Sequence, residues 1–142
     1  MRISDVLRGK GTGVVTIGPG ESVLRLLEML AEHGVGALVV SDDGKVVAGI
    51  VSERDVVRHL HSAGADILTG PVSAIMTSAV ITAGPQDEVE SLAQTMTEQR
   101  IRHVPVIKSG ELYAIVSIGD VVKHRISMLQ SERDQLVGYI QQ

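Results

Sequence analysis

The chain contains an internal duplication with an almost constant offset between the two copies. Ile81 lies 66 residues after Val15, whereas Asp120 lies 65 residues after Asp55, so one residue is missing near Tyr113. A duplicated supersecondary unit buries its apolar face against its copy, which limits the folds open to the chain. We therefore expect two similar halves that pack closely on each other.

Each half has the pattern of a β-α-β-β-α unit. In the first half, apolar runs at 14–17, 37–40 and 46–51 predict strands, and Asp42-Asp43-Gly44 predicts a turn between the last two. Apolar residues at helical spacing from Val23 to Ala31 predict a helix that begins at Gly18-Pro19 and ends at Gly34. A second helix is expected directly after Ser52.

The second half repeats these signals in the same order. Strands are predicted at 80–82, 104–107 and 112–116, with a helix that begins at Gly84-Pro85. A short helical turn at 3–7 is echoed by 72–76. We predict an α/β (α+β) fold with repeats at 1–62 and 72–126, a linker at 63–71 and a C-terminal amphipathic helix at 127–142.

Each half also carries a Ser-x-x-Asp sequence where its last strand leads into a helix: Ser52 to Asp55, and Ser117 to Asp120. A helix with serine at the N-cap and an acidic residue at N3 has a capping box, which is a common structural feature. The same groups suit a nucleotide, because helix N-termini bind phosphate and a carboxylate accepts both hydroxyls of a ribose. The two interpretations are compatible, and the matched positions favour a functional role.

Composition excludes several classes of function. The net charge of −4, with two Tyr and neither Phe nor Trp, argues against nucleic-acid binding. No apolar run is long enough to span a membrane, and the first residues lack a signal-peptide core, so a cytoplasmic protein is expected. The chain has no Cys, and its five His show no metal-ligand spacing. No catalytic constellation is present, so we predict neither a metal site nor an enzyme.

The tandem β-α-β-β-α units, their paired Gly-Pro sequences, the Val104-Pro105-Val106 strand and the two Ser-x-x-Asp endings resemble the cystathionine-β-synthase (CBS) domain pair, or Bateman module. The resemblance covers about residues 1–126. It implies two repeats packed about a pseudo-twofold axis with two clefts between them. Each cleft takes Ser-x-x-Asp from one repeat and apolar residues from the other. The ligands that it implies are adenine nucleotides: AMP, ADP, ATP or NAD, and in some members S-adenosylmethionine.

Carried onto this chain, the resemblance implies two sets of ligand-binding residues. The first set is Ser52, Arg54, Asp55, Ile81, Ile101, Arg102 and His103, and the second is Ser117, Gly119, Asp120, Val15, Val35, Gly36 and Ala37. Only the first set has cations for phosphate oxygens, with Arg100 beside it. We therefore expect tighter nucleotide binding at the first cleft. Lys10 and Thr12, in the loop before the first strand, are candidates to compensate at the second.

Two further features lead to predictions about neighbouring surfaces. Pro105 has no N–H, so its strand is expected to run along a sheet edge or a cleft. Ile126, Leu129, Leu136 and Ile140 form one apolar stripe of the C-terminal helix, which either covers its own domain or joins a partner subunit. We expect this helix to help form a homodimer.

The sequence as a whole favours a non-catalytic regulatory sensor that binds an adenine nucleotide and acts on an unidentified downstream protein. The alternatives are a structural dimerisation module without ligand, and an enzyme that uses the Ser52 cleft. The two retained aspartates argue against the first alternative, and the absence of a general base near Ser52 argues against the second.

Overall fold

The computed structural model describes residues 1–141 and has the mixed α+β architecture that the sequence predicts. The first repeat contains α1 (Ile3–Lys10), β1 (Thr16–Ile17), α2 (Val23–His33), β2 (Ala37–Val40), β3 (Gly49–Ser52) and α3 (Glu53–Ala63). Two 3₁₀ turns, Ala65–Thr69 and Val72–Ala74, lead into the second repeat. That repeat contains α4 (Val89–Gln99), β4 (His103–Lys108), β5 (Glu111–Ser117) and α5 (Ile118–Ile140).

The first long helix of each repeat begins later than its Gly-Pro sequence predicts. Gly18-Pro19 instead forms a turn, in which the Glu21 N–H donates to the Gly18 carbonyl at 3.2 Å. Helix α2 begins only at Val23, after Ser22 has capped it by accepting from the Arg25 N–H. Proline is favoured at the second position of a turn, so the Gly-Pro sequence is explained by a turn and does not mark the start of a helix. The same correction applies to Gly84-Pro85 and α4.

The two repeats form separate small sheets of unequal size. In the first, β2 pairs in parallel with β1 and in antiparallel with β3. The second sheet has only β4 and β5, and the predicted strand at 80–82 is reduced to one parallel bridge, between Ala83 and Val106. Extending that ladder would require an N–H at Pro105, which proline lacks. The main chain of Ile81 is thereby left out of the sheet, and the predicted strand at 80–82 is wrong.

The repeats exchange their first segments. Ile3, Val6 and Leu7 of α1 are buried in the core of the second repeat, while Val72 and Ile75 are buried in the core of the first. Matching hydrogen bonds fix the exchange, because the Ile3 N–H donates to Asp87 O at 2.9 Å and the Val72 N–H donates to Glu21 O at 2.8 Å. Each aliphatic core therefore includes residues from both halves of the sequence. The repeat boundaries at 1–62 and 72–126 stay a prediction.

The C-terminal helix is not a separate element, because α5 runs without a break from Ile118 to Ile140. Its first turns pack on the second repeat through buried Val121. Beyond them its apolar stripe is about half exposed or more, at Ile126, Leu129, Leu136 and Ile140. Gln142, the last residue of the predicted C-terminal helix, lies outside the described residues. None of the helices between residues 1 and 141 is both long and apolar enough to cross a membrane.

Candidate functional site

The first Ser-x-x-Asp sequence joins β3 to α3 and forms the predicted capping box. The Ser52 N–H donates to Asp55 Oδ2 at 2.8 Å and its hydroxyl to the same oxygen at 3.1 Å, while the Asp55 N–H donates to Ser52 Oγ at 3.4 Å. These bonds use only one oxygen of the carboxylate, Oδ2. The structural role of Asp55 thus leaves Oδ1 available to accept hydroxyls from a ligand.

A cavity of about 220 Å³ lies between the repeats at this helix N-terminus. All seven residues predicted for the first cleft line it, with Ser52, Arg54 and Asp55 on one repeat and Ile81, Ile101, Arg102 and His103 on the other. Ile81 is 37% exposed, which is consistent with an apolar surface facing the cavity. The structure therefore brings together the groups that a nucleotide requires: carboxylate, helix N-terminus, apolar surface and cations.

Nine further residues line the cavity: Gly36, Ala37, Ile50, Glu53, Arg58, Thr77, Ala79, Val80 and Arg100. Gly36 and Ala37 were predicted for the second cleft. They lie at the first because Ala37 pairs with Ser52 across β2 and β3, and because the Glu53 N–H donates to the Gly36 carbonyl. The sequence offered one missed signal, since Arg58 lies one helical turn after Arg54 and so shares its face.

The charge of the first cleft is dominated by arginine. Arg54, Arg58, Arg100 and Arg102 line it together with only two carboxylates, those of Glu53 and Asp55. Within residues 1–141, none of these four guanidiniums takes part in a salt bridge. Unpaired arginines gathered at one cavity favour an anionic ligand, because guanidinium binds phosphate oxygens through two parallel hydrogen bonds.

Arg100 has an uncommon backbone conformation. It ends α4 with φ 55° and ψ 43°, in the left-handed region, where Gly34 ends α2 with φ 62° and ψ 39°. Both helices close in the same way, since the Ile101 N–H reaches Met96 O and the Val35 N–H reaches Leu30 O. Glycine is the usual residue at this position because a side chain is strained there. An arginine held in that conformation at a cavity wall indicates a functional role.

His103 lies at the start of β4, where it is close to both Ser-x-x-Asp sequences: it pairs with Ser117 across the strands and lines the first cavity together with Ser52. Burial has the largest effect and lowers the pKa of His103 below 6.5. The positive charges of Lys10 and Arg102 also lower it, whereas Asp120 and Glu53 act in the opposite direction. His103 is therefore mostly neutral at pH 7, and the arginines supply the positive charge of the cleft.

The lowered pKa predicts that nucleotide binding strengthens in mildly acidic solution. Because its pKa is lowered, His103 gains a proton only as the pH falls below 6.5, and a phosphate-bearing ligand is then expected to bind more tightly. The free protein should lose stability as the pH falls from above 6.5 toward the lowered pKa of His103, because the unfolded chain takes up the proton at a higher pH than the folded chain does. Calorimetric titration with ATP and thermal unfolding over a series of pH values on both sides of 6.5 measure the two effects.

The variant His103→Gln is the control for this prediction. It cannot gain the proton, so the pH dependence that it retains belongs to the phosphates of the nucleotide. Equal pH dependence in the parent and the variant would show that His103 does not contribute.

The second Ser-x-x-Asp sequence has the same capping box but different surroundings. The Ser117 N–H and hydroxyl donate to Asp120 Oδ2 at 2.8 and 2.9 Å, and Lys10 Nζ donates to the same oxygen at 2.5 Å. Burial acts to raise the pKa of Asp120, but the hydrogen bonds from Lys10 and Ser117 outweigh it and lower that pKa below 3.8. Val15, Val35, Ser117, Gly119 and Asp120 lie outside the first cavity.

Fold and cleft together define a class of protein, a tandem repeat of mixed helices and strands with a cavity between its halves that is lined by both charged and apolar side chains. The model of the CBS domain matches the chain twice, at residues 3–62 and 72–127. The chain therefore belongs to the CBS domain family, as its Ser-x-x-Asp sequences and duplication indicated.

Relatives and solved structures agree with this assignment. A mitochondrial CBS domain-containing protein of Arabidopsis thaliana, CBSX3, is 37% identical over 147 residues, which cover 98% of this chain and 71% of the relative. The crystal structure of the CBS-domain protein ATU1752 from Agrobacterium tumefaciens has a TM-score of 0.85 and 44% identity, and the match covers 88% of this chain and 99% of that one. The CBS pair of protein MJ0100, solved with 5′-methylthioadenosine and S-adenosyl-L-methionine, shares the fold at 22% identity and a TM-score of 0.79, covering 90% and 98%.

Proposed function

We propose that this protein is a regulatory module that binds an adenine nucleotide, AMP, ADP, ATP or NAD, in the cleft at Ser52 and Asp55 without transforming it. The observation that carries the proposal is the convergence on one cavity of four arginines that form no salt bridge within residues 1–141 and of Asp55 Oδ1, the carboxylate oxygen outside the capping box. The Ser52 hydroxyl donates to Asp55 as part of a capping box, and the same contact recurs between Ser117 and Asp120, so helix capping accounts for this bond without a nucleophilic role.

The charge of the cleft favours ligands with several phosphates over the adenosine compounds bound by the pair of MJ0100. S-adenosylmethionine has two cationic groups, a sulfonium and an ammonium, against one carboxylate, so its net charge opposes binding beside four guanidiniums, and 5′-methylthioadenosine has no anionic group for them to bind. Each added phosphate, in contrast, offers further oxygens to arginine. We therefore expect ATP and NAD to bind more tightly than AMP, and AMP more tightly than 5′-methylthioadenosine.

Calorimetric titration of nucleotide-stripped protein with these ligands and with S-adenosylmethionine tests the proposal. The expected result is saturable binding whose affinity rises with phosphate count and falls with added salt. Saturation by S-adenosylmethionine but not by ATP would contradict the assignment of the ligand class. Heat from none of the compounds would favour a module without a ligand.

The second candidate function is assembly, and the exposed face of α5 favours it. Val122, Ile126 and Leu129 are 49–51% exposed along one face, and a homodimer would bury them. We expect the protein to elute with twice its chain mass of 15.1 kDa, and Leu129→Glu to shift it toward monomer. Light scattering coupled to gel filtration measures the mass.

Ser131→Glu places the same charge on the opposite flank of α5 and serves as the control for Leu129→Glu. A monomeric parent, or equal masses for the two variants, would contradict an interface on this face.

A cytoplasmic location also stays a prediction, and the Arabidopsis relative is described as mitochondrial. The proposal also includes an unidentified downstream protein on which the nucleotide-bound module acts.

A further inference from the structure

The side chain of Lys10 reaches the second Ser-x-x-Asp sequence and holds two acceptors there. Its ammonium group donates to Asp120 Oδ2 at 2.5 Å and to the Ile115 carbonyl at 2.6 Å. Only about a third of the Lys10 side chain is exposed, and about a fifth of that of Asp120. The ion pair is thus a partly buried contact between the end of α1 and the β5–α5 junction.

The duplication shows which position the ammonium group takes. Ile115 and Asp120 are each 65 residues after Ile50 and Asp55, which line the first cavity. In the first repeat the Ile50 carbonyl accepts from the Thr77 N–H at 2.9 Å, and Asp55 has no cationic partner among the described residues. Lys10 therefore takes the place of a main-chain donor on the Ile115 carbonyl and also neutralises Asp120, the counterpart of the carboxylate that accepts the ribose in the proposed function.

A difference in length between the two repeats explains why the Lys10 side chain reaches Asp120. The matching hydrogen bonds of Ile3 and Val72 align these two residues at an offset of 69, whereas Ile17 and Ala83 align at 66. The first repeat is thus three residues longer in this segment. These residues extend α1 to eight, with Lys10 as its last, where the second repeat has only the 3₁₀ turn Val72–Ala74.

We propose that Lys10 acts as a built-in occupant of the second cleft, so that each chain binds one nucleotide rather than two. The number of nucleotides rests on the proposed function, but the occupation of Asp120 by Lys10 does not. Asp120 Oδ1 accepts none of these bonds, but the ammonium group lies against the Ile115 carbonyl, and the counterpart Ile50 lines the first cavity. A ribose that reached Oδ1 would therefore compete with the ammonium group for the same space, and displacing it would leave the Ile115 carbonyl without its donor, which opposes binding. Lys10 is then the residue that makes two duplicated clefts unequal.

Calorimetric stoichiometry tests this inference. The parent is expected to bind one ATP per chain, and Lys10→Met, which keeps the aliphatic stem, is expected to bind a second more weakly. The double variant Lys10→Met with Asp120→Ala should again bind one ATP per chain. Two sites in the parent, or one site in Lys10→Met, would overturn the proposal. Loss of a site in Lys10→Met would show instead that Lys10 binds phosphate.

A second measurement needs no nucleotide and separates this inference from the proposed function. Acetylation of the four lysines by an amine-reactive ester, followed by mass spectrometry, should be about tenfold slower at Lys10 than at Lys45 and Lys123, because both acceptors hold its ammonium group. Asp120→Asn should remove most of the difference. Ser117→Ala, which weakens the cap but keeps the carboxylate, should preserve it. Equal labelling of all lysines in the parent would overturn the inference even if ATP binds.

Discussion

Replacing Asp55 by asparagine is expected to weaken ATP binding about 100-fold, because the carboxylate is the proposed acceptor for two ribose hydroxyls. Hydrogen bonds to a charged acceptor contribute about 1.5–3 kcal/mol each, and the neutral amide accepts through one atom only. In the free protein Oδ2 holds the Ser52 N–H and hydroxyl, so the variant should also lose about 1 kcal/mol of stability. Calorimetric titration and urea unfolding measure the two losses independently.

The duplication supplies a matched control for this variant. Asp120→Asn removes the same capping contacts from α5 and should lower stability at least as much, since Asp120 also loses Lys10. It leaves the first cavity unchanged, so ATP affinity there should stay close to that of the parent. If Asp55→Asn bound ATP as tightly as Asp120→Asn does, Asp55 would be a helix cap only, and the proposed site would be wrong.

Arg100→Gly is expected to stabilise the fold and to weaken nucleotide binding. The left-handed conformation at φ 55° suits glycine, so removing the side chain should add about 0.5–1 kcal/mol to the free energy of unfolding. Loss of one charge-assisted phosphate contact should weaken ATP binding about tenfold or more. A gain in the free energy of unfolding together with a loss of ATP affinity would identify Arg100 as a residue that serves binding at a cost in stability.

The first repeat again offers the control. Gly34→Arg places the same side chain in the same conformation at the end of α2 and should destabilise by about 1 kcal/mol. Arg100→Lys keeps the strain and the charge but loses the planar fork, so it should lie between the parent and Arg100→Gly in ATP affinity. A glycine variant that binds ATP as well as the parent does would reduce Arg100 to a solvated helix end.

Local patterns predicted the fold well where a short segment decides the outcome. Offsets of 65 and 66 residues and two Ser-x-x-Asp sequences were sufficient for the repeats and the capping boxes. The seven residues predicted for the first cleft, which are among those that line the first cavity, came instead from the resemblance to the CBS domain pair. The Gly-Pro helix starts were wrong because a turn and a helix N-terminus have similar sequence signals. The missing strand at 80–82 depends on the N–H that Pro105 lacks, in a strand more than 20 residues away.

The particular long-range contacts were not predicted. Lys10 was named only as a candidate to compensate at the second cleft, and no local pattern indicates that its ammonium group binds Asp120, 110 residues away. The assignment of Gly36 and Ala37 to the first cleft likewise depends on the register of β2 against β3. Such contacts are set by how two finished halves pack, which repeat alignment alone does not determine.

The exchange of first segments has a consequence for how the chain folds during synthesis. Helix α1 is made before the second repeat, yet the apolar partners of Ile3 and Leu7 include Val104 and Val116 of β4 and β5. Until those strands are made, the helix lacks these partners, and the first repeat completes its own core only once Val72 and Ile75 emerge. Folding is therefore weighted toward late, long-range contacts, which slow it. The interval before β5 is made is when the nascent chain is most open to chaperones and to aggregation.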